Sequence, residues 1–321
     1  LAQCGRYFDP DWQSQLTLPG WVPDWSFEGM SWTQLSPDLS PSCLVDGGLS
    51  APAQVMETDI LRVLCVPAAT VRSVIRVVVP SMSLEACITT LAKLQAHPGL
   101  DKGYLQSHPT MLPRLLVRGL VADDGHQNHL TRPTLQAVAD VLSLVRHRPE
   151  LKHMGPAQRN VLSHISQTLL SFRVFTTQEG HMGMAPRWAE AADMVTIVLG
   201  CRVPLLLRRS TAPGEKYQIV GPCYVPDLQS GEKLLGPLSE DYAWQQVLVT
   251  SAATTVSRLA LMNLHGGSVL NEDPRLTKWF SQSIMADYRK KRRSGQDVVL
   301  EVDLAKLEAM GVTGARYIDL I

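Results

Sequence analysis

Between Phe172 and Leu228 the chain carries five short apolar runs, "FRVFTT", "MVTIVLG", "VPLLLRR", "KYQIVG" and "CYVPDL", each bounded or broken by glycine or proline. Runs this short are rich in β-branched residues and flanked by residues that turn the backbone, so they favour strands over helices. Short links between such strands permit antiparallel pairing and exclude the long crossovers that parallel strands need. The pattern predicts a compact antiparallel β-module over residues 172–235.

The period differs on either side. "ILRVLCV" (60–66) and "VRSVIRVVV" (71–79) flank "PAAT" and predict a strand pair. From 81 to 171 the spacing is helical. Leu84, Cys87, Ile88, Leu91 and Leu94 follow a serine cap, a second helix opens with Thr131 as cap and Pro133 in its first turn, and Val161, Leu162, Ile165, Leu169 and Phe172 mark a third. Downstream, Tyr242, Val247, Val249, Val256, Leu259 and Leu261 predict a long helix over about 240–265. A last helix near 275–291 runs into "RKKRR" (289–293), and "DVVLEV" closes with a strand. Residues 1–58, rich in Trp, Pro, Ser and Asp, read as a strap that must be pinned to something else. The predicted class is α+β, a compact antiparallel β-module packed with a helical bundle-like region. It is expected as a single domain over 1–321: strap and strand pair (1–80), helices (81–171), β-module (172–235) and C-terminal elements (236–321).

With 45% hydrophobic and 19% charged residues the chain of 321 can bury a large core. Its 30 basic and 30 acidic residues cancel, so no overall field draws it to nucleic acid or an anionic surface. No apolar run reaches the roughly 18 residues that cross a bilayer. Cys4, Cys43, Cys65, Cys87, Cys201 and Cys223 show no C-x-x-C spacing and read as reduced thiols of a cytoplasmic, metal-free protein. "RKKRR" reads as a solvated helix end that suits the helix dipole.

Two separated stretches carry a resemblance. In 172–235, Phe175, Thr177, Gly180, Gly183, Pro186, Asp193, Gly200, Val203, Pro204, Leu207, Arg208, Tyr217, Val220, Gly221, Tyr224, Val225, Gly231 and Glu232 fall in order. "LPGWVPDWS" (18–26) lies upstream of them. Together they resemble the C-terminal region of fungal heterokaryon-incompatibility (HET-domain) proteins. The chain departs from that pattern at Gly20 (Ser in the pattern), Ala192 (Gly) and Pro222 (Glu). Nothing upstream in this sequence resembles the family's TIR-like signalling domain with its W-I-D-A-x-C-I-N-Q motif: either that domain lies outside the sequence or the protein never had it.

Trp21 and Trp25, around Pro23 and Asp24, read as rings that wedge the strap onto the β-module, or alternatively as the lining of an apolar pocket. Thr177 and Glu179 are expected to shape the turn before Gly180. Gly180, Gly183, Gly221 and Gly231 are read as turn positions, and Arg208 and Glu232 as an ion pair. The chain has no G-x-S-x-G, H-E-x-x-H, Walker or G-x-G-x-x-G motif, which leaves no cofactor expected. A fold without those motifs can still catalyse a ring closure by shape and one or two hydrogen bonds. That leads to the expectation of a cofactor-free cyclase or isomerase of Diels–Alder type on an apolar secondary metabolite. Arg208, Tyr224 and Tyr217 would be its donors, and Trp21, Trp25, Thr177 and Glu232 its ligand contacts. The alternative is a regulatory or interaction module with a protein partner. No nucleic-acid partner and no transmembrane segment are expected.

Overall fold

The computed structural model describes residues 19, 21–22, 45–57, 59–77, 83–100, 102–116, 133–147, 150–250, 255–270, 272–294, 296 and 298–321. Its class is α+β. Strand β1 (Leu49–Ser50) and β2 (Gln54–Glu57) lead into β3 (Ile60–Val74), a single strand of 15 residues where a strand pair was expected. "PAAT" does not turn the chain. Pro67 has no N–H to give the ladder, and the register slips between Pro67 and Ala69, so the strand bends through a bulge and continues.

That length lets β3 pair with four strands. Its first half pairs with β2 and with β13 (Arg316–Leu320), its middle with β6 (Met194–Val198), and its end with β4 (Phe172–Thr177). From β6 the sheet continues through β7 (Leu205–Arg209) and β8 (Lys216–Pro222), and β8 pairs with β13. The ring β3–β6–β7–β8–β13 therefore closes on itself. A second path runs from β4 to β5 (Met182–Pro186) and returns past the end of β8 by a bridge between Met184 and Tyr224. The β-module expected at 172–235 is thus completed by strands from both ends of the described chain.

Both faces of this sheet are covered. Leu61, Val63 and Cys65 of β3 join a core with Leu91 of α1 (Leu84–Gln95), Val138 of α4 (Leu135–Arg146) and Ile165 of α5 (Pro156–Ser171). The alternate residues Leu64 and Val66 pack with Met285 and Tyr288 of α7 (Gln282–Arg293) and Leu307 of α8 (Leu304–Ala309). A strand buried on both sides reads as a continuous apolar run, which is why "ILRVLCV" shows no alternation. Two shorter helices, α2 (Lys102–Ser107) and α3 (111–116), lie between α1 and α4 in the chain, with Leu115 and Leu116 in the same core as α1. Ser83 caps α1 as expected, its Oγ accepting from Ala86 N–H at 3.1 Å. The cap of α4 is Thr134, one turn later than expected, its Oγ1 accepting from Ala137 N–H at 3.1 Å. Thr131 lies outside the described residues. Val161, Leu162, Ile165, Leu169 and Phe172 are all buried.

The helix expected over 240–265 is a correction. The segment forms β9 (Tyr242–Thr250) and β10 (Thr255–Asn263), an antiparallel pair that β11 (Ser268–Leu270) extends. Val247, Val249 and Val256 with the threonines between them carry strand propensity, and the long spacing between apolar positions fits a period of two as well as one of 3.6. A four-residue helix, α6 (Glu232–Leu235), separates this sheet from the barrel. β12 (Leu300–Glu301), within "DVVLEV", pairs in parallel with β1. No described helix is long and apolar enough to cross a membrane.

Cys65, Cys87, Cys201 and Cys223 are free and buried, and burial pushes the Cys65 and Cys87 thiols up to about 12. Asp46, in the turn before β1, is 4% exposed, and its Oδ1 accepts from Gly48 N–H at 2.9 Å. Burial raises its pKa from 3.8 to about 6, against the lowering effect of that hydrogen bond and of Arg202. The unfolded chain releases this proton first, so the Asp46 contribution to stability is largest below about pH 4 and is lost as pH rises to about 6. Asp46→Asn keeps the acceptor oxygen and should stabilise the protein by about 1–3 kcal/mol at pH 7, with no gain at pH 3.5. Urea midpoints from pH 3.5 to 8 test this, and an equal shift at both ends would be inconsistent with a titrating Asp46.

Candidate functional site

A buried carboxylate holds together a dense polar group in the barrel. Asp193, 1% exposed, stands just before β6. Arg208 on the adjacent β7 donates to it through both arms of its guanidinium, Nε to Oδ1 at 2.8 Å and Nη2 to Oδ2 at 2.9 Å. Asp193 Oδ2 also accepts from Glu190 N–H at 2.8 Å. Arg208 Nη2 donates to the Trp188 carbonyl at 3.0 Å, and its Nη1 lies 3.5 Å from the Glu190 carboxylate. Trp188 in turn donates its indole N–H to the Val220 carbonyl at 2.7 Å. One arginine thus ties the loop before β6 to β7 while that loop is anchored to β8. The hydrogen bonds to Asp193 hold the Arg208 guanidinium above its ordinary value. The ion pair expected between Arg208 and Glu232 gives way to this one. Glu232 Oε2 accepts from Ser230 N–H at 2.8 Å, beside Gly231 at φ 72°.

The backbone entering Asp193 is strained. Ala192 has φ 71°, the one described residue other than glycine with positive φ. An L-residue in that region costs about 1–2 kcal/mol, and this is the position where the resembled pattern carries glycine. Gly180 and Gly221, at φ 91° and 148°, meet the expectation of unusual angles. Gly183 does not: it lies inside β5, and a Cβ there would sit 2.4 Å from Phe175 Cζ and 2.8 Å from the Tyr224 carbonyl oxygen. Its constraint is close approach.

The two tyrosines have different surroundings. Tyr217 is buried on β8, and its hydroxyl donates to Glu215 Oε1 at 2.8 Å while accepting from Arg316 Nη2 at 3.2 Å. Burial first, then the bond to Glu215, pushes its pKa up. In the ladder Arg208 stands opposite Gln218 and Arg209 opposite Tyr217, so Arg208 and Tyr217 project from opposite faces. Tyr224 is buried in the core shared with the helices, and its backbone exchanges two hydrogen bonds of 2.8 Å with Met184.

Thr177 shapes its turn as expected: its Oγ1 accepts from His181 N–H at 3.0 Å, and its carbonyl from Gly180 N–H. Glu179 accepts from Thr70 N–H with both carboxylate oxygens, joining the turn to β3. His181 Nδ1 lies 3.3 Å from Asp227 Oδ2, and that bond holds His181 above and Asp227 below their ordinary values. Trp21 packs half-buried against the main core and donates its indole N–H to the Asp59 carbonyl at 3.1 Å, which fits the anchor reading. Trp25 lies outside the described residues.

Part of the barrel is matched by a known family. Residues 143–242 match the family model of the Het-6 beta-barrel domain. The match supports a relation to heterokaryon-incompatibility proteins and spans α5, strands β4 to β8 and α6. No curated protein and no solved structure matches the chain. The Asp193–Arg208 pair lies inside the matched segment. Both residues were among the matched positions in the sequence, yet their pairing was missed because Glu232 also carries a carboxylate at a matched position. Arg275, outside the matched segment, was missed as well. It is largely buried, holds Asp273, and donates to the carbonyls of Ser230 and Gly236, clamping the loop around α6.

A cleft of about 560 Å³ opens between α1 and the 150–152 turn, lined by Glu85, Ile88, Thr89, Lys93, Glu150, Leu151 and Lys152. None of the expected site residues lines it.

Two substitutions test the centre. Arg208→Met strips a buried carboxylate of its partner and should cost about 3 kcal/mol, whereas Ala192→Gly should stabilise by about 0.5–1 kcal/mol by relieving strain. Denaturant midpoints measure both. Loss of stability in Ala192→Gly would remove the strain argument.

Proposed function

We propose that this chain is a regulatory or interaction module of the heterokaryon-incompatibility type. One observation carries the reading: two of the three polar groups that a cyclase would direct at its substrate, Arg208 and Tyr217, are engaged by neighbouring side chains of the protein. Arg208 has two arms on Asp193 and a further bond to Trp188, and the Tyr217 hydroxyl is held between Glu215 and Arg316 on the other face. A donor set that polarises a carbonyl must converge on one open site. Arg208 and Tyr217 diverge, and loss of Arg208 would leave the buried Asp193 carboxylate unpaired. The match to the Het-6 beta-barrel domain supports the same reading.

In such a module the barrel acts as a rigid platform, and recognition falls to surfaces around it. The test is genetic. Strains of a filamentous fungus that overexpress or lack the chain are fused with a tester strain, and the fraction of fusion cells that take up a vital dye is counted. The expected outcome is a changed death frequency on overexpression, abolished by Asp193→Ala. Unchanged death in every pairing, with an uncyclised apolar precursor accumulating in the deletion strain, would restore the cyclase.

A further inference from the structure

We propose that the free edge of β9 is a self-association surface, at which a second copy of this chain adds its own β9 antiparallel across a two-fold axis at Gln246. Among the described residues β9 (Tyr242–Thr250) pairs on one side alone, with β10, in the order β11–β10–β9. An open edge offers a row of N–H and C=O groups to any strand that fits them, and folds ordinarily blunt it with charge, proline, a bulge or brevity. β2, beside β3, shows such devices: it has 4 residues, ends in Glu57, and its register slips between Val55 and Glu57. β11 has 3 residues. β9 shows none of these devices. Its 9 residues, "YAWQQVLVT", include no charge and no proline, and its register on β10 runs from Tyr242 opposite Asn263 to Thr250 opposite Thr255 without a slip.

The ladder fixes which backbone groups this edge presents. Leu264 N–H donates to the Asp241 carbonyl at 2.8 Å, so Asp241 turns its carbonyl toward β10. Antiparallel strands alternate, and Trp244, Gln246, Leu248 and Thr250 therefore turn their N–H and C=O groups outward. A two-fold antiparallel partner overlaps the whole of β9 in one register alone, the one that sets Gln246 opposite its own copy. In that register the outward groups of Gln246 pair reciprocally. Trp244 comes opposite Leu248 of the second copy, and Tyr242 opposite Thr250 of the second copy.

The chemistry of that pairing selects the occupant. Like charges set opposite one another disfavour a strand pair, and an aromatic residue opposite a β-branched one favours it. In the symmetric register no like charges meet, and Tyr242 opposite Thr250 is a favoured pair. Glutamine carries both donors and an acceptor, so it can stand opposite itself. A foreign strand would be picked out by complementary charge, and β9 offers none. The isologous pair also closes, because each copy uses its one β9 edge, so the product is a dimer and not a filament.

The experiment measures the mass of the full chain by sedimentation velocity from about 1 to about 100 μM. A reversible rise from one chain to two is expected. Gln246→Lys and Gln246→Glu each set like charges face to face and should weaken association about tenfold or more. An equimolar mixture of the two sets an ammonium opposite a carboxylate and should recover the dimer. Circular dichroism melts check that both variants fold; should either melt early, a cysteine pair decides. Gln246→Cys brings its two copies into a hydrogen-bonded pair with Cα atoms about 5.5 Å apart, within disulfide reach, whereas Val249→Cys does not. Oxidised glutathione should therefore crosslink the first variant and leave the second like the parent. A parent that stays a single chain overturns the proposal, as do folded charge variants that each associate like the parent, a mixture of them that stays monomeric, or equal crosslinking at both cysteine positions. Growth beyond two chains overturns the closed pair. None of these readouts depends on fungal cell death, so this proposal and the module reading can fail separately.

Discussion

Closure of the barrel through β3 is the constraint on which the rest of the structure depends. One strand pairs with β13, β2, β6 and β4 in turn, and it does so because the chain bends at Pro67 without breaking. Closure removes the exposed edges that a five-strand sheet would otherwise present. It also forces a long-range topology, since β3 must meet a strand near 316–320 before either is stable. Bringing such distant segments together costs loop entropy in advance of any contact energy, so folding of this chain depends on contacts of high sequence separation.

Within that ring the buried Asp193 carboxylate is a specificity device. A buried ion pair returns little net stability compared with an apolar pair of the same volume, but each alternative register of β6 against β7 would leave Asp193 unpaired. The strained Ala192 and the Trp188–Val220 bond serve the same end, fixing the loop that delivers the carboxylate. Arg208 and Asp193, which look chemical in the sequence, here tie the loop before β6 to β7. Arginine, tyrosine and aspartate at fixed spacing are needed as much to align short strands as to polarise a substrate.

Much of the fold is legible in the sequence, and the exceptions have physical causes. The strands at 172–222 and the helices at 84–95 and 156–171 follow from local signals, propensity, periodicity and caps, which act over a few residues. "PAAT" was misread because proline and alanine mark both turns and bulges, and only the partner strand β6 decides between them. Residues 240–265 were misread because valines at widely spaced positions satisfy either period. β13 was invisible as barrel-closing because nothing in "RYIDL" specifies its two partners. At the site, Thr177 and the glycines at 180 and 221 were readable from turn chemistry. The partner of Arg208 was not, because choosing between Asp193 and Glu232 requires knowing which strand lies next to β7.

The helical layer and the barrel share one core, and their polar surfaces are coupled as well. Asp227, bonded to His181 on the barrel, is also held below its ordinary value by the nearby charges of Arg114 and His108 from the α2–α3 region. Tyr104 and His108 stack within that region at 4.4 Å between ring centroids. Separating the two layers would expose Leu91, Leu115, Leu162 and Ile165 together with this charge cluster, each fully buried aliphatic side chain contributing about 1.5–3 kcal/mol. A signal that works by parting helices from barrel is therefore costly. α7 lies clear of that interface, since Met285 and Tyr288 pack it into the separate cluster on the other face of β3, with Leu64, Val66 and Leu307.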